Sequence, residues 1–183
     1  MSVHPPLSFI QSVEGWQSWP SFGQQHTGRD VAALAYPGLF TEYLRALNRG
    51  SVGVELVRQG PCAGSGGNAT VRRDVVIRVG ETTAAIASTL VEQAVIDRYP
   101  WLANLGSKPI GETLESNVSA VRSGVLYQAV EQQSPWHANF AADVQTLWAR
   151  RYRYTFDGGE LCIAELISDS VVSAIGRLGP PSG

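Results

Sequence analysis

The chain carries little charge and almost no lysine. Charged residues make up 16% of its 183 residues, the formal net charge is −2, and Lys108 is the single lysine beside thirteen arginines. Such a chain has no broad positive field that would attract a nucleic acid or an anionic membrane. We therefore expect neither of these as a partner.

Cysteine and histidine are also scarce. Cys62 and Cys162 belong to no recognisable motif, and we expect a reduced pair rather than a disulfide. His4, His26 and His137 lack the spacing of metal ligands. The sequence therefore predicts no metal site.

Long apolar runs are absent. No segment approaches the roughly 20 apolar residues that a membrane-spanning helix needs, and the N-terminus lacks the basic and then apolar pattern of a secretory signal. We expect a cytoplasmic protein. With 44% hydrophobic residues, the chain is long enough for one domain with a substantial core.

Composition divides the chain into three parts. Residues 1–36 are rich in Ser, Gln, Gly and Pro, with Trp16 and Trp19 as their strong apolar anchors. They predict a loosely structured N-terminal arm. Residues 37–169 form the predicted domain, and residues 170–183 form a C-terminal tail whose Pro-rich end we expect to fray.

Hydrophobic periodicity within the domain predicts strands joined as hairpins, with helices between them. The predicted strands are 52–58, 71–79, 83–91, 125–131, 148–156 and 161–167, and the predicted helices are 39–47, a short one within 92–106 and one near Glu112. The Gly-rich segment 60–67 is a predicted loop without a phosphate-binding motif. This pattern indicates an α+β fold with a single antiparallel sheet of about six strands.

The strand 71–79 carries a cation on its apolar face. Side chains alternate between the two faces of a strand, so Arg73 shares a face with Val75 and Ile77. An unpaired guanidinium in such a place is costly. Arg58 shares the inward row of its own predicted strand in the same way.

A second predicted strand carries an anion on its apolar face. Glu165 lies in one row with Leu161, Ile163 and Ile167. One cation and one anion on apolar faces indicate a pocket for a small polar ligand. Two alternatives remain open at this point: Arg73 and Glu165 pair with each other as a structural salt bridge, or one strand is shifted by a residue.

Three blocks of sequence, in order, resemble the chorismate pyruvate-lyase family. They are Arg73–Ile77, Leu105–Glu112 (Leu-Gly-Ser-Lys-Pro-Ile-Gly-Glu), and Trp148–Arg153 (Trp-Ala-Arg-Arg-Tyr-Arg) with the following Asp157-Gly-Gly and Ala164-Glu-Leu. The similarity covers roughly residues 37–169. It implies a chorismate lyase-like fold and a cofactor-independent lyase that forms 4-hydroxybenzoate and pyruvate from chorismate, as a monomer or a homodimer.

The resemblance also implies the residues of the site. The carboxylate-binding arginine of the family corresponds to Arg73, and its acidic residue at the ring hydroxyl corresponds to Glu165. An apolar residue lining the pocket corresponds to Ile110, and another corresponds to Phe40 or its neighbour Leu39. The implied catalytic residues are Arg73 and Glu165.

Chorismate has a second carboxylate, which needs a further cation. Arg150, Arg151 and Arg153 lie close together in one predicted strand, and we expect at least one of them, with Arg151 as the candidate, to face the substrate. A solvated edge, or pairing with acidic residues of neighbouring strands, is an equal alternative. Tyr152 and Tyr154 are predicted to serve packing.

Two departures keep other functions open. Some family members carry an arginine where this chain has Ser88, and residues 1–36 have no counterpart in the family. An enzyme of specialised metabolism with another substrate is one alternative. The other is an effector-sensing domain, a use of this fold in transcription regulators, although residues 1–36 are too short and too uncharged to form a winged helix.

Overall fold

A single antiparallel sheet organises the protein. The structure, a computed structural model, describes residues 15–36, 38–48, 52–63, 69–130, 132 and 134–180. The strands of the sheet follow the order β1-β2-β3-β6-β5-β4. Their bounds are β1 Val52–Ala63, β2 Ala69–Val79, β3 Thr82–Glu92, β4 Val121–Val130, β5 Leu147–Phe156 and β6 Gly159–Ser168.

Helices connect and cover these strands. They are α1 Trp19–Gln25, α2 Arg29–Ala32, α3 Phe40–Leu47, α4 Gln93–Arg98, α5 Ile110–Asn117 and α6 Asp169–Leu178, with short 3-10 turns at Ala33–Ala35, Pro100–Asn104 and Pro135–Asn139. The α+β class with a six-stranded antiparallel sheet is confirmed. None of these helices is long and apolar enough to cross a membrane.

Tight turns fix the register of the two hairpins. Gly80, with a φ of 59°, lets a two-residue turn join β2 to β3 because this conformation suits glycine. Gly158, with a φ of 76°, plays the same part between β5 and β6. The β5–β6 pairing continues from its turn without a shift of register, whereas a bulge between Ile77 and Arg78 interrupts the β2–β3 pairing next to its turn.

Strand β1 differs from its prediction in length and in register. It continues to Ala63, through part of the predicted loop, and residues 64–68 lie outside the described residues. A bulge between Leu56 and Arg58 interrupts its pairing with β2. An extra residue at a bulge reverses the alternation of side chains, and Arg58 is exposed instead of lying in the inward row.

The predicted arm is helical from Trp19 onward, so the expectation of little structure is wrong for this part. Phe22 of α1 is only 1% exposed, and Gln17 forms a β-bridge with Tyr127 of β4. The tail also forms a helix, α6, which packs against α2 and α3. The division of the chain near residues 36 and 169 remains a prediction.

Different segments of the chain pack on the two faces of the sheet. On the outer face, Val76 and Leu166 pack with Phe140 from the segment that precedes β5. On the inner face, helices α1, α3 and α6 pack over the strands, and their apolar side chains join those of the sheet in the core. The inner face is the one that carries Arg73 and Glu165.

Candidate functional site

A cavity lies between the inner face of the sheet and the N-terminal ends of α3 and α5. Its empty space is about 470 Å³ including the open mouth. Apolar side chains form most of its lining, among them Val75, Ile77, Ala87, Ile163, Leu39 and Ile110.

Arg73 lines one end of this cavity and is 5% exposed. Its Nη2 donates to the carbonyl oxygens of Gly106, at 2.8 Å, and Lys108, at 3.0 Å, while its buried Nε finds no hydrogen-bond partner among the residues that the structure describes. Within the described part of the chain no carboxylate forms an ion pair with it. Burial lowers the pKa of Arg73, although an arginine stays charged near neutral pH.

Glu165 lines the other end and is also 5% exposed. Its Oε2 accepts a hydrogen bond from Arg150 Nε at 2.5 Å, and its Oε1 accepts one from the Tyr152 hydroxyl at 3.1 Å. The alternative that Glu165 pairs with Arg73 is therefore wrong. Each carboxylate oxygen keeps a second lone pair that can accept from a ligand.

The sheet sets the separation between the two groups. Strand β3 lies between β2, which carries Arg73, and β6, which carries Glu165. The backbones of β2 and β6 are therefore about 10 Å apart, since neighbouring strands are about 4.8 Å apart. Ala87 and Thr89 of β3 form the floor between them. Their small side chains line the space between the two charges.

Arg150, the direct partner of Glu165 on the neighbouring strand β5, forms an ion pair with it. It is 4% exposed, and its Nη1 also donates to the Leu34 carbonyl oxygen at 3.4 Å. Its guanidinium lies 5.4 Å from the ring centroid of Phe40. Burial alone would lower the pKa of Arg150, but the Glu165 charge outweighs burial and raises it above its ordinary value. Arg150 therefore stays charged.

The N-terminal ends of α3 and α5 lie at the cavity, and each helix has an acidic residue in its first turn, Glu42 in α3 and Glu112 in α5. Helices α3 and α5 begin after Leu39 and Pro109, and neither residue caps its helix with a side chain. Unpaired N–H groups at such ends attract anions. The same ends are joined to each other, since Glu112 of α5 accepts hydrogen bonds from Thr41 and Arg45 of α3.

The structure brings five of the predicted site residues together. Arg73, Glu165, Ile110, Phe40 and Leu39 all line the cavity. Their contacts with a substrate remain predictions, but their common location agrees with the assignment made from the sequence.

Arg151 does not join them. Side chains alternate along β5, and Tyr152 lines the cavity, so Arg151 lies on the outer face. There its guanidinium is 4.7 Å from the ring centroid of Trp16. The expectation that Arg151 faces the substrate is corrected by this placement.

Ser88, the position at which some family members carry an arginine, also lies on the outer face. Ser88 lies between the cavity-lining Ala87 and Thr89, is fully buried, and donates to Asp74 Oδ1 at 2.5 Å. Asp74 also accepts from Arg72 Nε at 2.8 Å and is 8% exposed. The Ser88 hydroxyl thus satisfies the buried Asp74 carboxylate on the outer face, away from the cavity.

Sequence reasoning missed two residues that contact Glu165. Arg150 was one of three equivalent arginines, and Tyr152 was assigned to packing. The available signal is the register of the second hairpin, in which Arg150 is the direct partner of Glu165 and Tyr152 is the partner of Ile163.

Comparison with protein families gives one assignment. The family model described as chorismate pyruvate-lyase Rv2949c-like matches residues 34–173. A search of curated proteins gives no match.

Solved structures show the same fold at low sequence identity. The effector domain of PhnF from Mycobacterium smegmatis is 14% identical with a TM-score of 0.55, and the match covers 72% of this chain and 88% of that one. PhnF from Mycobacterium smegmatis is 14% identical with a TM-score of 0.56, and the match covers 72% of this chain and 64% of that one. A PhnF C-terminal domain is 16% identical with a TM-score of 0.51, and the match covers 66% of this chain and 86% of that one. At these identities the likeness concerns the fold alone.

Proposed function

This chain belongs to the chorismate pyruvate-lyase Rv2949c-like family, and we propose that it converts chorismate to 4-hydroxybenzoate and pyruvate. One observation carries the proposal. A buried arginine without an anionic partner among the described residues and a buried glutamate line the same largely apolar cavity, on strands that β3 separates.

The ring carboxylate of chorismate fits the arginine end. Among the described residues, Nε of Arg73 has no hydrogen-bond partner, and a planar guanidinium binds a carboxylate through parallel hydrogen bonds. The uncapped N-terminal ends of α3 and α5 lie at the same cavity and favour negative charge. These groups replace the water that the carboxylate gives up on entry.

The ring hydroxyl then points toward Glu165. The hydroxyl lies on the ring carbon opposite the carboxylate, and the separation of about 10 Å between the two strands leaves room for this orientation. In the reaction the hydrogen on the hydroxyl-bearing carbon is lost and the neighbouring carbon–oxygen bond to the enolpyruvyl group breaks. In this proposal Glu165 accepts that proton, and aromatisation of the ring drives the reaction without an oxidant or a reductant.

The apolar lining supports the same chemistry. Ile110 and Phe40 cover the ring at the roof of the cavity, where they exclude bulk water. Exclusion of water strengthens the interactions of both charges with the substrate. Positioning and charge are thus the contributions that this chain makes to the reaction.

Small-molecule sensing without turnover is the second candidate. It is favoured by the fold likeness to the effector domain of PhnF, with a TM-score of 0.55. A sensor would use the same cavity and the same two charges for binding. The two functions differ only in whether the carbon–oxygen bond is broken.

A direct assay separates them. The purified protein is incubated with chorismate, 4-hydroxybenzoate is followed by absorbance, and pyruvate is measured with lactate dehydrogenase and NADH. We expect both products in equal amounts, and Glu165→Gln to reduce turnover while it retains binding. Binding of chorismate or 4-hydroxybenzoate without products would support the sensor. Neither binding nor products would indicate another ligand.

A further inference from the structure

Tyr152 occupies a place in the cavity that packing does not explain. It is 6% exposed, it lines the cavity, and its hydroxyl donates to Glu165 Oε1. Two guanidinium groups, those of Arg150 and Arg122, each lie 5.5 Å from the centroid of its ring. A phenol used only for packing would not need a hydroxyl bonded to the glutamate of the site.

The position of the leaving group brings it next to this hydroxyl. In chorismate the carbon that carries the enolpyruvyl ether is adjacent to the carbon that carries the ring hydroxyl. A substrate bound with its hydroxyl at Glu165 therefore has its ether oxygen beside the same carboxylate. Tyr152 is the cavity-lining side chain that is bonded there.

Building on the proposed lyase function, we infer that Tyr152 is a catalytic residue that protonates the departing ether oxygen and regains its proton from Glu165. Glu165 takes the hydrogen of the hydroxyl-bearing carbon, and the electrons of that carbon–hydrogen bond complete the aromatic ring. The carbon–oxygen bond breaks toward oxygen, which takes the Tyr152 proton and leaves as enolpyruvate. The proton on Glu165 then passes to the Tyr152 oxygen through their hydrogen bond, and enolpyruvate tautomerises to pyruvate in water.

The electrostatics of the cavity suit the order of these steps. Burial, followed by the charge of Glu165, raises the pKa of Tyr152 well above its usual value, while Arg150 and Arg122 act in the opposite direction. The phenol is therefore protonated before the reaction begins. When Glu165 receives the substrate proton, its charge no longer opposes ionisation of Tyr152, whereas both guanidinium charges remain. The phenol thus becomes a stronger acid at the moment when the leaving group needs a proton.

Tyr152→Phe tests the residue because it removes the hydroxyl and keeps the ring. We expect kcat for chorismate to fall about 100-fold, the lower end of typical general acid contributions, and KM to change by less than about threefold. Binding of 4-hydroxybenzoate, measured by calorimetry, reports that the cavity is intact in the variant. A kcat equal to that of the parent protein would overturn the inference.

Tyr154→Phe is the matched control. Tyr154 lies two residues further along the same face of β5, and its ring packs against that of Tyr152 with centroids 5.8 Å apart. Its hydroxyl lies near Gly111 and not at Glu165. We expect its kcat to match that of the parent protein. An equal loss in both variants would overturn the inference, because it would assign the effect to packing of the ring pair.

A measurement on the unaltered protein tests the proton path. The reaction is run in deuterium oxide, and pyruvate is trapped at once as lactate so that its methyl group does not exchange. Release of enolpyruvate predicts one deuterium in the methyl group. A methyl group without deuterium would show direct transfer from the ring carbon and would contradict the role of Tyr152. Absence of any turnover by the parent protein would instead refute the proposed function.

Discussion

Arg73 and Glu165 lie on the same face of the sheet, with β3 between their strands, and each is held by groups other than its counterpart. Arg73 bonds to the carbonyl oxygens of Gly106 and Lys108, and Glu165 bonds to Arg150 and Tyr152. Opposite charges that share an apolar cavity without pairing leave the space between them for a ligand. The fixed bonds on each side hold both groups in place before that ligand arrives.

The first prediction concerns Arg73. We expect Arg73→Gln to weaken 4-hydroxybenzoate binding by about 1.5–3 kcal/mol, because hydrogen bonds to a charged group typically contribute this amount. Calorimetry with 4-hydroxybenzoate measures the change. Arg151→Gln is the control on the outer face, and its binding should equal that of the parent protein. Equal weakening by the two variants would refute the assignment of Arg73 to the carboxylate.

The second prediction concerns the buried pair of Arg150 and Glu165. Glu165→Ala leaves a buried guanidinium without its anion, and we expect the free energy of unfolding to fall by about 3–5 kcal/mol. The double change Arg150→Met with Glu165→Leu should recover much of this loss, since no charge is then left uncompensated. Urea unfolding measures both. A double variant no more stable than Glu165→Ala would show that the pair is not the origin of the effect.

The sequence predicts the sheet and the two charges because alternation within a strand is a local property. The cation at Arg73 and the anion at Glu165 stand out against apolar neighbours that are two residues away. The register of β5 against β6 follows from a two-residue turn at Asp157 and Gly158, so the pairing of Arg150 with Glu165 could also have been derived.

Other features depend on information that alternation does not contain. A bulge in β1 exposes Arg58, and no local pattern of side chains marks it. Asp74 is buried because Ser88 and Arg72 satisfy its carboxylate on the outer face. The helices of the arm and the tail form because Phe22 and Ile175 reach the core, which is a tertiary effect in segments of weak periodicity.

The third prediction concerns the roof of the cavity. A Cβ at Gly111 would lie 2.8 Å from Leu39 Cδ2, so Gly111→Ala must displace the end of a side chain that lines the cavity. A leucine terminus moves easily, and we expect the melting temperature to stay nearly constant while KM for chorismate rises. Thermal unfolding and steady-state kinetics measure the two effects. An unchanged KM would show that Leu39 does not contact the substrate.

The fourth prediction concerns alkaline stability. Burial, followed by the charge of Glu115, raises the pKa of Tyr154 to about 12 from its usual value of 10. Between these pH values the unfolded chain loses the phenol proton while the folded protein keeps it, so stability falls as the pH rises. We expect Tyr154→Phe to reduce this fall, and urea unfolding from pH 9 to about pH 12 measures it. An equal fall in parent and variant would show that Tyr154 ionises alike in both states.

A crystal structure with bound 4-hydroxybenzoate tests the central claim most directly. We predict the ligand ring over Ala87 and Thr89, its carboxylate within hydrogen-bond distance of Arg73, and its hydroxyl within hydrogen-bond distance of Glu165. A ligand bound outside this cavity, or bound inside it with neither contact, would contradict the account.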